Sequence, residues 1–291
     1  MLATLALLAT VAMPQAADTS FAVERSQRLE VNAHAGEIVV RGWNRNTVRI
    51  RAELPAGGRL AVDRSPAAVS LHIRGEHADH GERGGQTSYD ITIPTWMGVN
   101  LHGVNTTMSV DGVQAPIRAE TVNGDITVKG GDGLVSLNTV EGSVILENAK
   151  GRIDVESVNA DVTVRNAVGE VRAETVNGEV TLAGVRSESV EASTVNGDMI
   201  YDGTIRAGGR YRLVTHNGDV TITVPQGTGA RVSISTFQGD FESDFPVTLT
   251  ERRGKRFDFT LGGGGAAIDL ESFQGTIRLV RPGRSPKPSD Q

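Results

Sequence analysis

Apolar and polar residues alternate along most of this chain, and the alternation recurs with a fixed period. The stretch Ala119-Glu120-Thr121-Val122-Asn123-Gly124-Asp125-Ile126-Thr127-Val128 returns almost verbatim as Ala173-Glu174-Thr175-Val176-Asn177-Gly178-Glu179-Val180-Thr181-Leu182. With Gly124 as the anchor, equivalent positions are Thr106, Gly124, Gly142, Ala160, Gly178, Gly197, Gly218, Gly239 and Gly275. Their spacings are 18, 18, 18, 18, 19, 21, 21 and 36, the last reading as a double gap with an insertion over 244–266. A period near 20 is the mark of a solenoid.

Columns through the repeat say which way each residue points. Seven before the anchor stand Ile117, Val135, Ile153, Val171, Val190, Tyr211, Val232 and Ile268; five before it stand Ala119, Leu137, Val155, Ala173, Ala192, Leu213, Ile234 and Leu270. Ile126 and Val128, Val144 and Leu146, Val162 and Val164, and Val180 and Leu182 lie two and four after it. Spacing of two means strands with one buried face. Val-Asn-Gly between the strands predicts a bend in which glycine takes positive φ. A single coil buries too few aliphatic side chains to offset the entropy of ordering its backbone. Coils must therefore stack, each strand bonding to its neighbours about 4.8 Å above and below. The predicted fold is all-β: a single-stranded parallel β-helix (β-solenoid) with coils of about 18–21 residues. The crossover rule favours right-handed coiling, but it was framed for helical crossovers and leaves the hand open.

The rest of the chain departs from this regularity. Residues 1–17 read as a signal peptide, with the uncharged apolar run Leu2 to Met13 too short to span a membrane and cleavage expected after Ala16 or Ala17. Residues 18–98 form an irregular β-rich section suited to capping one end. Leu29, Val31, Gly36, Ile38 and Val40 place an early coil within it, and alternation predicts strands at 47–53, 59–63, 69–74 and 89–94. The repeats occupy 99–279, where Phe237, Phe241 and Phe273 replace small aliphatics near the end, and 280–291 is a disordered tail by composition.

The chain has 291 residues, 29 Lys and Arg, 35 Asp and Glu, and a net charge of −6, all of it outside residues 1–17. That balance argues against nucleic acid as the main partner. The absence of cysteine excludes a disulfide framework, a thiolate metal site, a cysteine nucleophile and a lipid-modified cysteine anchor. Nothing after the first run resembles a stop-transfer segment, so an exported chain without a transmembrane segment is expected, in the periplasm, at the cell surface or outside.

Three features together resemble a known family. Gly36-Glu37-Ile38-Val39-Val40-Arg41-Gly42-Trp43 stands near the start, Tyr89-Asp90-Ile91-Thr92-Ile93-Pro94 precedes the repeats, and Thr-Val-Asn-Gly-Asp coils follow. Over about residues 21–280 the chain is similar to the exported bacterial toastrack domain of unknown function, which carries an adhesin label. The resemblance implies a β-solenoid of the bacterial envelope and brings no catalytic residues.

Several side-chain columns and clusters carry candidate chemistry. Asp125, Asp161, Glu179, Asp198, Asp219 and Asp240 follow the anchor and would stack into a carboxylate column, for calcium or, as favoured, for solvent and pairing with Lys129, Arg165 or Arg172. Asn123, Asn159, Asn177, Asn196 and Asn217 suggest an amide ladder. Thr121, Thr139, Thr175, Thr194 and Thr215 before the bend, with Thr127, Thr163, Thr181 and Thr221 after it, read as outward strand threonines more than as an ice-binding face. His72, His77 and His80, with Glu76 and Asp79, could hold a metal, but glycines around them favour a solvated loop. Near-uniform coils and few aromatics speak against an active site. The expectation is a non-enzymatic binding or structural module of the cell envelope, with no catalytic, cofactor-binding or metal residues assigned and no cofactor. Envelope polysaccharide or a surface protein is the expected partner, and oligomeric state and binding face stay open. The alternatives are a polysaccharide-acting β-helix enzyme and a self-assembling envelope scaffold.

Overall fold

A computed structural model describes residues 15–54, 58–74, 86–247, 249–253 and 255–283, and all regular elements among them are β-strands. One coil shows the plan. Lys150–Glu156 runs along a first sheet, the chain bends through residues 157–161, and Val162–Arg165 runs along a second sheet. Asn166 then turns the chain back, in the left-handed region at φ 53°. Each strand pairs in parallel with its counterpart one coil away. Val135, Ile153 and Val171 are successive partners in the first sheet, and Val144, Val162 and Val180 in the second. The chain is therefore a β-solenoid, and the inward columns named above form one continuous core. Tyr201 and Tyr211 enter that core edge to face, 5.7 Å between ring centres.

Both ends turn antiparallel. Arg28–Trp43 pairs with Val99–Val113 as the first full coil, with Leu29 opposite Val99 and Ile38 opposite Met108. The intervening chain makes an excursion whose strands, Thr47–Leu54, Arg59–Arg64, Ala68–Arg74 and Thr87–Pro94, close that end. Thr47–Leu54 lies antiparallel between Thr87–Pro94 and Gln15–Ala22, so the strand at the start includes Ala16 and Ala17. At the far end, Leu249–Arg253 and Arg256–Leu261 form an antiparallel hairpin against Ala230–Thr236.

Spatial order and sequence order part company near the C-terminus. Ala266–Ser272 pairs with Met199–Asn217 on one side and Ala230–Thr236 on the other. Ile277–Val280 likewise lies between Val220–Thr223 and Phe241–Ser243. The chain thus lays its outermost coil first, folds the hairpin over it, and returns to fill the gap. Charges fit this order: Arg212 reaches Asp269 at 2.7 Å and Glu271 at 3.4 Å, and Arg278 bonds Asp219 on one side and Glu242, 3.2 Å away, on the other.

Positive φ accounts for part of the glycine column. Gly124, Gly142, Gly197 and Gly218 have φ of 140°, 151°, 158° and 159°, as the sequence predicts, whereas Gly178, Gly239 and Gly275 lie outside that region. What they share is close approach between coils. A Cβ on Gly124, Gly178 or Gly275 would lie 2.3, 2.4 or 1.8 Å from the carbonyl oxygen of Thr106, Ala160 or Gly218 beneath it. Gly124, Gly178 and Gly197 each donate their N–H to the next coil at 2.8–2.9 Å, whereas Gly142, Ala160 and Gly218 make no such bond among the described residues.

Candidate binding edge

The bends stack into one long edge, and its outermost residues are apolar. Two before the anchor, Val104, Val122, Val140, Val158, Val176 and Val195 are each 36–45% exposed. Their column begins at the exposed His34 and continues through His216, Phe273 and Phe237 in spatial order. Period two from Ala119 puts Val122 on the outward side, so these valines are out of phase with the core. Ten rungs about 4.8 Å apart make a ridge of roughly 43 Å. The last three side chains lie nearly flat on one another. His216 and Phe273 are 4.7 Å apart at 11°, and Phe273 and Phe237 4.8 Å apart at 9°. Phe237 ends the stack and is 64% exposed. Phe237 and Phe273 therefore do not replace core aliphatics, as the sequence suggested; Phe241 does turn inward, against Phe257 and Phe259.

Beside the ridge runs the amide ladder. Asn123 donates to Asn105, Asn177 to Asn159, Asn196 to Asn177 and Asn217 to Asn196, at 2.7–2.9 Å. Glu141 interrupts it, and because a carboxylate cannot donate, the buried Oδ1 of Asn123 is left without a partner. Gln274 and Gln238 extend the amide column beyond Asn217.

Four of the six carboxylates one after the anchor bond to the next coil at the bend. Asp125 Oδ1 accepts the N–H of Ser143 at 2.7 Å, Asp161 Oδ1 that of Glu179 at 2.8 Å, Asp198 Oδ1 that of Asp219 at 2.9 Å, and Asp219 Oδ1 that of Thr276 at 2.7 Å. Each carboxylate clamps its coil to the next. The cations expected to pair with them go elsewhere: Lys129 and Arg165 face Glu147, and Arg172 faces Asp154 and Glu174. The threonines before the bend also differ from expectation. Thr121, Thr139, Thr175, Thr194 and Thr215 are buried. Four of them donate to the anchor carbonyl of the preceding coil at 2.8–3.1 Å: Thr139 to Gly124, Thr175 to Ala160, Thr194 to Gly178 and Thr215 to Gly197. Two ranks of threonine thus do not share an outer surface.

His77, His80, Glu76 and Asp79 lie outside the described residues. His72 stands 3.6 Å from Asp63, and no group of metal-ligating side chains comes together among the described residues. On the outer face of the first sheet, Asp154, Glu156 and Glu174 crowd together. Burial chiefly, then the charges of Asp154 and Glu174, push the Glu156 carboxyl above its ordinary range. No described helix is long and apolar enough to cross a membrane.

Stacked two-strand coils, a glycine column and an amide-lined edge define a β-solenoid. The chain belongs to the toastrack family DUF4097, whose model matches residues 27–280. Among solved structures it is similar to a putative adhesin from Parabacteroides distasonis, at 10% identity and a TM-score of 0.46 over 92% of this chain and 98% of that one. A putative adhesin from Parabacteroides merdae is 11% identical, TM-score 0.45, over 91% and 96%. A putative lipid binding protein from Parabacteroides distasonis is 8% identical, TM-score 0.46, over 90% and 96%. No curated protein matches the chain.

Proposed function

We propose that this protein is an exported, non-enzymatic, adhesin-like module of the bacterial cell envelope that holds an extended polysaccharide along its bend edge. The observation that carries the reading is the ridge with its amide ladder: an outward valine recurs in six successive coils, with an amide beside all but one of them, along a ridge of roughly 43 Å. A linear repeat of small apolar and amide groups matches a linear polymer better than a globular partner, whose contacts concentrate in a compact patch of anchors. Phe237 adds a flat apolar ring at one end, the kind of surface on which a sugar face stacks. Affinity would be spread over many weak rungs and grow with polymer length. Export rests on the Leu2 to Met13 run, which lies outside the described residues. Antiparallel strands at both ends work against coil-on-coil filaments, and negative-stain images showing rods of one length would agree.

Co-sedimentation of residues 18–291 with cell-wall sacculi and soluble envelope polysaccharides, with released sugar ends assayed in parallel, tests this. Binding without release is expected. Capture by protease-sensitive surface components alone would replace the polysaccharide with a surface protein. One observation favours a second reading, a polysaccharide-acting enzyme: the raised Glu156 carboxyl beside Asp154 has the environment of a general acid. Sugar ends released by the wild type and not by Glu156→Gln would establish it in place of the first.

A further inference from the structure

The swapped order of the last coils builds a second site, on the outer face of the first sheet and away from the bend edge. Arg210 is the register partner of Ala267, and Ala267 that of Arg231. Two arginines thus stand on either side of an alanine, about 9.6 Å apart at Cα by strand spacing. Had the coils stacked in sequence order, the two would be direct neighbours and repel. Thr260 is the partner of Arg231 across the antiparallel hairpin, and Ser233 lies two residues further along the same strand. These residues line a cleft of about 610 Å³.

The other charges there are already committed. Arg212 is held by Asp269 and Glu271, and Arg256 by Asp258 at 3.4 Å and the Ser233 hydroxyl at 3.2 Å. Arg210 and Arg231 are exposed and have no ion pair or hydrogen bond among the described residues. A protein of charge −6 therefore carries, at one cleft, two uncommitted guanidinium groups facing a gap floored by a small side chain.

We propose that this cleft binds a phosphate group, with Arg210 and Arg231 gripping it from opposite sides of Ala267. A carboxylate carries a single negative charge on two coplanar oxygens, less than two guanidinium groups facing each other across a gap require. A phosphate presents oxygens in several directions and takes two forks, leaving others for the hydroxyl groups of Ser233 and Thr260. The group could be carried by a soluble phosphate compound or by a lipid headgroup, and the chemistry at the cleft is the same.

Calorimetric titration of the whole chain with inorganic phosphate, and sedimentation with vesicles of phosphatidic acid or of phosphatidylcholine, tests the site and separates the sources. Arg210→Gln and Arg231→Gln are each expected to weaken phosphate binding about tenfold or more, the usual worth of a charge-assisted bond. Ala267→Leu, which fills the gap and keeps every charge, is expected to weaken it comparably. Arg152→Gln, an exposed arginine on the same sheet outside the cleft, should leave binding unchanged. Cleft-dependent sedimentation with phosphatidic acid alone would assign the lipid source, and binding of phosphate without vesicle binding the soluble one. Binding by the wild type of neither inorganic phosphate nor phosphatidic acid vesicles, or equal binding by wild type and Ala267→Leu, would overturn the proposal. The polysaccharide assay is independent of these variants, so either idea can fail alone.

Discussion

Replacing Gly178 by alanine isolates the reason for the glycine column. Its backbone is outside the positive-φ region, so at an ordinary extended position alanine would stabilise by about 0.4–1 kcal/mol through the unfolded chain. The coil beneath opposes this. The new Cβ would lie 2.4 Å from Ala160 O and 2.5 Å from its carbonyl carbon, whereas ordinary contact begins at 3.4 Å. The coils must part there by 3.4 − 2.4 = 1.0 Å. Three bonds cross that junction, each 2.8 Å long: Asn177 N–H to Val158 O, the Thr175 hydroxyl to Ala160 O, and Glu179 N–H to Asp161 Oδ1. Stretched by 1.0 Å they pass beyond hydrogen-bond range. Losing all three, less the unfolded-state gain, gives a net destabilisation of about 2–3 kcal/mol. Gly124→Ala meets Thr106 O at 2.3 Å and also has φ 140°, adding about 1–2 kcal/mol of backbone strain. Urea denaturation of the two variants measures both. A Gly178→Ala protein as stable as the wild type would refute the close-approach argument.

Other consequences follow from single residues. Ala160 lies outside the positive-φ region, so Ala160→Gly should lower stability by about 0.4–1 kcal/mol through the unfolded chain, as read by the urea midpoint. Tyr89 is buried with its hydroxyl unpartnered among the described residues, so Tyr89→Phe should stabilise by about 1 kcal/mol. Tyr211 donates to Ser187 O at 2.8 Å and accepts from Arg206 N–H at 2.7 Å, so Tyr211→Phe should cost about 1–3 kcal/mol in the same assay. Burial pushes the phenols of Tyr89, Tyr201 and Tyr211 up, that of Tyr89 to about 12. Because these folded values are raised, the stability they confer is whole below pH about 10 and is lost as pH climbs through the folded values. Tyrosinate absorbance should then appear together with unfolding; tyrosinate formed at pH 10 with the fold intact would contradict this. Glu156→Gln should raise stability at pH 7, with the gain vanishing below the ordinary carboxyl range, since burial raises that folded pKa too.

Much of the fold is legible in the chain because a strand's period of two leaves little freedom. Ile117, Ala119 and Ile126 point inward and do so in the structure. The same parity carried two residues further puts Thr121 inside, so its burial was readable; strand preference for outward threonine overrode the signal. Val122 falls on the outward parity, and an apolar residue out of phase in six successive coils was the sequence trace of the ridge. The swapped coils left no such trace. Ile268 and Val232 occupy the same column, so the pattern suits either order, and only the charge pairs Arg212–Asp269 and Arg278–Asp219 distinguish them. The phosphate cleft was invisible for that reason, since Arg210, Ala267 and Arg231 meet only in the swapped order. The glycine column is legible, and positive φ explains Gly124, Gly142, Gly197 and Gly218; the close approach that explains Gly178, Gly239 and Gly275 is a property of stacking and not of the local turn.

The central claim is that the bend edge holds a linear envelope polymer. The most direct test is co-sedimentation with purified sacculi of the wild type beside a variant carrying Val140→Lys, Val158→Lys and Val176→Lys. These side chains are half exposed and face solvent, so the coils stay folded. The wild type is expected to pellet with the polymer and the triple variant to stay in solution, with unchanged melting. Equal pelleting of the two would place the binding surface elsewhere and contradict it.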